Sequence, residues 1–183
     1  TTLTSTASLS FASLTEIADS SVTAQGATLA FSAVTSLART SLSATSGGQL
    51  LFPLATDYID GVAANYSIQA SDPNSLIDLS HLVSVQGGGV DVWGAAYNVA
   101  IGASGNGTVL LSGAIAGYAT LSVADAGSTL DVSAVTSLAD TSVLVRIPVQ
   151  KDARNLPPAG WGLAAKRWAM PCTSTPRPAL VEP

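Results

Sequence analysis

Glu16, Asp19, Arg39, Asp57 and Asp60 stand at fixed offsets in a repeating pattern, and their types and spacing could do acid–base chemistry. Counted from the apolar residues Leu9, Leu29 and Leu50, the residues seven on are Glu16, Ser36 and Asp57, and those ten on are Asp19, Arg39 and Asp60. If each repeat forms one layer of a stack, the only arginine of residues 1–145 has a carboxylate above and below it, an ion ladder. Glu16 and Asp57, two layers apart, would then stand ~9–10 Å from each other, near the carboxylate separation of an inverting glycosidase. The same oxygens suit a Ca²⁺ ion, the one cofactor for which the chain has candidate ligands. A structural ladder is the plainer reading, because exposed ion pairs are ordinary surface features. A polysaccharide hydrolase or lyase site is the sharper one.

A second group suits binding rather than turnover. Tyr66, Asp91, Trp93 and Tyr97, with Asn65 and Asn98 beside them, fall in two stretches that lengthen the repeat. Aromatic faces pack on the apolar faces of sugar rings, and carboxylates and amides bond to hydroxyls. His81, in Asp78-Leu79-Ser80-His81, is the only histidine, so any Ser–His–Asp triad must use it. Neither a G-x-S-x-G elbow nor a GGxGxDxUx calcium repeat occurs. One histidine and one cysteine, Cys172, are too few for a structural zinc site or a disulfide framework, so no metal site is expected.

The elements that must position these residues are legible as columns. LAFSAVTSLARTSL from Leu29 returns as LDVSAVTSLADTSV from Leu130, and fainter copies lie between and before. A unit of ~20 residues indicates a stacked-coil architecture. Taking starts at Leu9, Leu29, Leu50, Ile77, Val109 or Leu110, and Leu130, apolar residues recur two, five and eight positions on. The fifth coil offers Gly117 or Tyr118 for the last of these. A second apolar pair closes each coil: Val22/Ala24, Leu42/Ala44, Ile68/Ala70, Ile101/Ala103, Leu121/Val123 and Val143/Val145. The i, i+2 pairs read as short strands and the steps of three as bends or single 3₁₀-like turns. The expectation is an all-β parallel β-helix (β-solenoid), right-handed as crossovers are, of about six coils of ~20 residues over 1–145. A leucine-rich-repeat horseshoe is the runner-up and lacks its Asn ladder. From the third column to the closing pair takes five residues in the first two coils, ten in the third (Tyr58 to Ile68) and sixteen in the fourth (Val85 to Ile101). Both insertions should leave the same corner and lie against each other.

The motif Leu-Asp-Val-Ser-Ala-Val-Thr-Ser-Leu at 130–138, with IDLSHLVSV at 77–85, resembles the β-strand repeats of large secreted or surface-attached bacterial proteins. These include adhesins and autotransporter passengers of the filamentous-haemagglutinin type. The resemblance covers roughly 9–145 and implies an architecture; no functional residue carries over from it.

Composition agrees with thin, regular β layers: 47% of the 183 residues are apolar, 10% charged and 5% aromatic. Residues 1–145 hold ten carboxylates against Arg39 alone, an acidic body unsuited to nucleic acid. No apolar run reaches the ~18 residues of a membrane span, and no export signal opens the chain. Residues 146–183 hold the other six basic residues, seven of nine prolines and two of three tryptophans. They form a basic, Pro-rich tail that reads as a cap built from Trp161, Leu163, Trp168 and Met170, a linker, or a non-native extension. The chain also starts mid-pattern, which suggests a fragment of a longer array. The functional expectation is a non-enzymatic secreted or cell-surface module, a stalk or carbohydrate-directed adhesin segment, with a polysaccharide or surface glycan as partner. An ice-binding surface ranks last, because regular outward Thr-x-Thr ladders are missing.

Overall fold

The computed structural model describes residues 1–61 and 64–145. By contact the chain parts into Thr1–Val149 and Gln150–Pro183, and the described residues all fall in the first. The expectations for the tail at 146–183, a cap of Trp161, Leu163, Trp168 and Met170 among them, lie outside the described residues.

Fifteen strands form in chain order. They are β1 (Thr2–Ser5), β2 (Leu9–Ser10), β3 (Glu16–Gln25), β4 (Thr28–Ala30), β5 (Ser36–Thr45), β6 (Gln49–Leu51), β7 (Asp57–Ile59) and β8 (Tyr66–Ser71). After them come β9 (Leu76–Leu79), β10 (Ser84–Gln86), β11 (Val99–Ser104), β12 (Thr108–Ala116), β13 (Ala119–Val123), β14 (Thr129–Leu138) and β15 (Thr141–Val145). All belong to one open sheet whose ladders are parallel throughout. No helix forms among the described residues, so none is long and apolar enough to cross a membrane.

The pairing sorts the strands into three stacks. The first runs β2, β4, β6, β9, β12, β14; the second β3, β5, β7, β10, β12, β14; the third β1, β3, β5, β8, β11, β13, β15. Long strands such as β3 and β5 serve two stacks by turning a corner midway. Rung after rung, like residues superpose: Leu9, Leu29, Leu50, Ile77, Val109 and Leu130 in the first stack, and Val22, Leu42, Ile68, Ile101, Leu121 and Val143 in the third. A single rung cannot bury its apolar side; stacking joins these columns into one continuous core. Phe11, Phe31 and Phe52 pile face to face, with centroids 4.8 and 4.9 Å apart and planes within 7°. The rung spacing of a sheet imposes that distance.

The steps of three are tight turns: the amide of Val34 donates to Phe31 O, Ala55 to Phe52 O and Leu82 to Leu79 O, each at 3.3 Å. The fifth coil departs from the expected columns. Val109, not Leu110, is its first member, and Ile115 rather than Gly117 or Tyr118 pairs with Val85 in the third. The reason is Gly113, at φ +83°, where β12 passes so close to Val83 that a Cβ would meet its carbonyl oxygen at 2.4 Å. The chain turns there in fewer residues, and the buried Ser112 hydroxyl donates to Leu82 O at 2.6 Å. A rung before Leu9, β1, with Leu3 on Val22, was also not among the expected coils.

Candidate functional site

The carboxylate edge is built by a recurring corner. Asp19, Arg39 and Asp140 sit at φ +50°, +47° and +53°, each between an alanine and a hydroxyl residue. In all three the hydroxyl donates back across the bend: Ser20 to Ala18 O (2.6 Å), Thr40 to Ala38 O (2.8 Å) and Thr141 to Ala139 O (3.0 Å). That bond compensates a left-handed backbone rarely adopted outside glycine. It also sends the middle side chain outward.

Asp19 and Arg39 therefore meet as expected. Arg39 donates through Nε to Asp19 Oδ1 at 2.5 Å and through Nη2 to Oδ2 at 2.7 Å, a bidentate pair at the surface. Its hydrogen bonds hold the Asp19 carboxyl below the usual range and raise the guanidinium. Asp60 does not complete the ladder. In its rung the left-handed residue is Gly61 (φ +82°), one position later, so strand alternation persists: Tyr58 in, Ile59 out, Asp60 in. Asp60 is fully buried, and among the described residues neither carboxylate oxygen has a hydrogen-bond partner. Desolvation pushes its carboxyl up to about 6. Beside it the buried Tyr58 donates to Thr40 O at 2.8 Å, and burial pushes that phenol up as well.

Glu16 and Asp57 share the column that also holds Ser36, two rungs apart. Asp57 is engaged: Oδ1 accepts from Ser84 Oγ and Oδ2 from Thr56 Oγ1, both at 2.8 Å. Among the described residues no three His, Cys, Asp or Glu come close enough to hold a metal ion. At His81, Ser80 Oγ lies 3.3 Å from Nδ1 but donates to Asp78 Oδ1 at 2.7 Å. The carboxylate thus holds the serine rather than the imidazole, the reverse of a relay.

The two insertions do leave one corner, since β7 pairs with β10 and β8 with β11. Asn65 Oδ1 accepts from Asn98 N at 2.8 Å, and Tyr66 N donates to Asn98 O at 3.2 Å. Beyond Gly88, whose hydrogen-only α-carbon lets the chain pass where a Cβ would meet Tyr97 O at 2.1 Å, residues 90–96 form a small hairpin. Asp91 braces it. Oδ1 accepts from the amides of Trp93 (2.8 Å) and Ala95 (2.9 Å), and Oδ2 from the Tyr97 hydroxyl (3.2 Å). The Ala95 amide first, then the Trp93 amide and the Tyr97 hydroxyl, hold the Asp91 carboxyl below its usual range, and the bond to Asp91 raises the Tyr97 phenol. At the tip Val92 is 92% and Trp93 89% exposed. Tyr97 is half-buried on the hairpin's stem, and Tyr66 packs against the core. The structure thus sorts the four expected binding residues into a platform (Trp93), a brace (Asp91 with Tyr97) and a margin of the core (Tyr66). The brace was hidden in sequence, where Asp91 reads as a ligand contact; the D-x-W-G-x spacing, with Gly94 at φ +81°, is its one local signal.

No family model, curated protein or solved structure matches this chain.

Proposed function

We propose that the chain is a non-enzymatic secreted or cell-surface β-solenoid module, a right-handed β-helix of six coils with β1 as a leading strand, that displays a carbohydrate-directed hairpin. The observation that carries this reading is Trp93. Single exposed apolar side chains are ordinary on a protein surface, but this indole stands on a turn that Asp91 holds with three hydrogen bonds. An ordered aromatic face at a loop tip matches the apolar face of a sugar ring. Preorganisation lowers the ordering cost of binding. A single platform gives weak affinity, which repetition of modules on a surface strengthens by avidity. Hydrolysis or elimination at the carboxylate edge has less support, because Arg39 engages Asp19, two hydroxyls engage Asp57, and Asp60 is buried.

Glycan-array binding followed by titration of the best polysaccharide tests the proposal. Trp93→Ala should abolish the signal and leave unfolding free energy within about 1 kcal/mol of the parent, as for an exposed substitution. Binding that survives Trp93→Ala would remove the carbohydrate reading, and turnover of a polysaccharide abolished by Asp57→Ala would replace it with the enzymatic one.

A further inference from the structure

The outward side of the third stack is a two-dimensional grid of hydroxyls. One column reads Thr2, Ser21, Ser41, Ser67, Ala100, Thr120 and Ser142 down the seven strands. Two residues along each strand, the next column reads Thr4, Thr23, Ser43, Gln69, Gly102, Ser122 and Leu144. Ten of these fourteen positions are Ser or Thr and none is charged, although residues 1–145 carry ten carboxylates and Arg39 elsewhere. Charge has been kept off this one face. The Ser122 hydroxyl leans over Gly102, where a Cβ would meet it at 2.5 Å, so it fills the space that the glycine leaves between Gln69 and Ser122.

All three stacks share the sheet's spacing, and on this uncharged face it acquires a use. Rungs repeat every ~4.8 Å across the stack and outward positions every ~6.6 Å along a strand, a rectangle close to that of oxygen positions on a prism face of hexagonal ice. Behind the grid stands the rigid column Val22, Leu42, Ile68, Ile101 and Leu121, each at most 2% exposed. We propose that this face binds ice, its hydroxyls and threonine methyls holding a layer of water in register with the crystal. A charged ligand would find no partner here, and a flexible solute would gain little from a periodic array; a crystal of small uncharged hydrogen-bonding molecules can meet the hydroxyl rows on either side of β11, whose own positions are Ala100 and Gly102. A regular Thr-x-Thr ladder is absent, as the sequence indicates; the mixed Ser/Thr columns that stand in its place escape the eye because the rungs are unequally spaced. Ser41 to Ser67 is twenty-six residues and Ser67 to Ala100 thirty-three, so no fixed period shows them. This inference does not rest on the Trp93 hairpin.

The test measures thermal hysteresis, ice-crystal shaping and inhibition of ice recrystallisation with the full chain at up to millimolar concentration. Thr23→Lys and Ser43→Lys place a long charged side chain mid-grid on strands whose inward residues are untouched; both should abolish all three effects with β circular dichroism unchanged. Thr129→Lys, exposed on the first stack, and Trp93→Ala should retain them. A parent chain that neither shapes ice nor slows recrystallisation overturns the proposal, as does full activity in both folded lysine variants or loss of activity in Trp93→Ala.

Discussion

Asp60 is buried with neither carboxylate oxygen hydrogen-bonded among the described residues, and its titration should show in the stability of the fold. An unfolded Asp titrates near ~3.9, whereas in the fold desolvation moves Asp60 to about 6. Between those values the native state holds the extra proton, so stability falls as pH rises through the window and stays low above it. The carboxyls of Asp19, Asp91, Asp125 and Asp131 are shifted the other way, so their contribution is lost only as pH falls below the ordinary range. Asp60→Asn should therefore raise the melting temperature at neutral pH and flatten its decline between about pH 4 and 6. Melting curves of the two proteins that stay parallel across that range would place the carboxyl in water. Asp91 makes the complementary case: Asp91→Ala, which removes the brace and leaves the indole, should weaken glycan binding with little change in melting temperature.

Among the elements, β5 offers the cleanest contrast. Leu37 is fully buried and Ser36, beside it, faces outward between Glu16 and Asp57. Leu37→Ala should cost ~2–5 kcal/mol in urea unfolding, the range for a large-to-small change in a packed core. Ser36→Lys should be more stable than Ser36→Asp by up to ~1 kcal/mol, because the aspartate would complete three like charges in adjacent rungs. Salt should narrow that gap; equal stabilities at low salt would mean that the column does not face outward as a unit. The columns were readable because each rung repeats the same inward side chains at nearly fixed offsets, and the shared insertion corner because loop length alone reveals it. Three features were not. Asp60 turns inward since a left-handed corner can move by one residue without changing composition. Ile115 takes its place through a close approach at Gly113. The hydroxyl grid depends on registers across insertions, which no local spacing records.

For the molecule as a whole, the end rungs should be the least protected. Leu9, Leu138 and Val143 are 42%, 51% and 60% exposed, while their counterparts in the middle rungs are fully buried. Amide exchange should accordingly be fastest in β1, β2, β14 and β15 and slowest in β5, β6 and β8; uniform protection would show that the stack opens only as one unit. The order of the third stack, from β1 at one extremity to β15 at the other, has a mechanical meaning. Tension applied between Thr1 and Val145 pulls across the strands rather than along them, so each ladder meets the load a few hydrogen bonds at a time instead of all together. Such a stack yields by peeling, one rung after another, at modest force, and each released rung lengthens the tether. A protein anchored at one end and holding something at the other would take up a sudden pull as gradual extension, with the rungs still stacked ready to accept the strand back when the load falls.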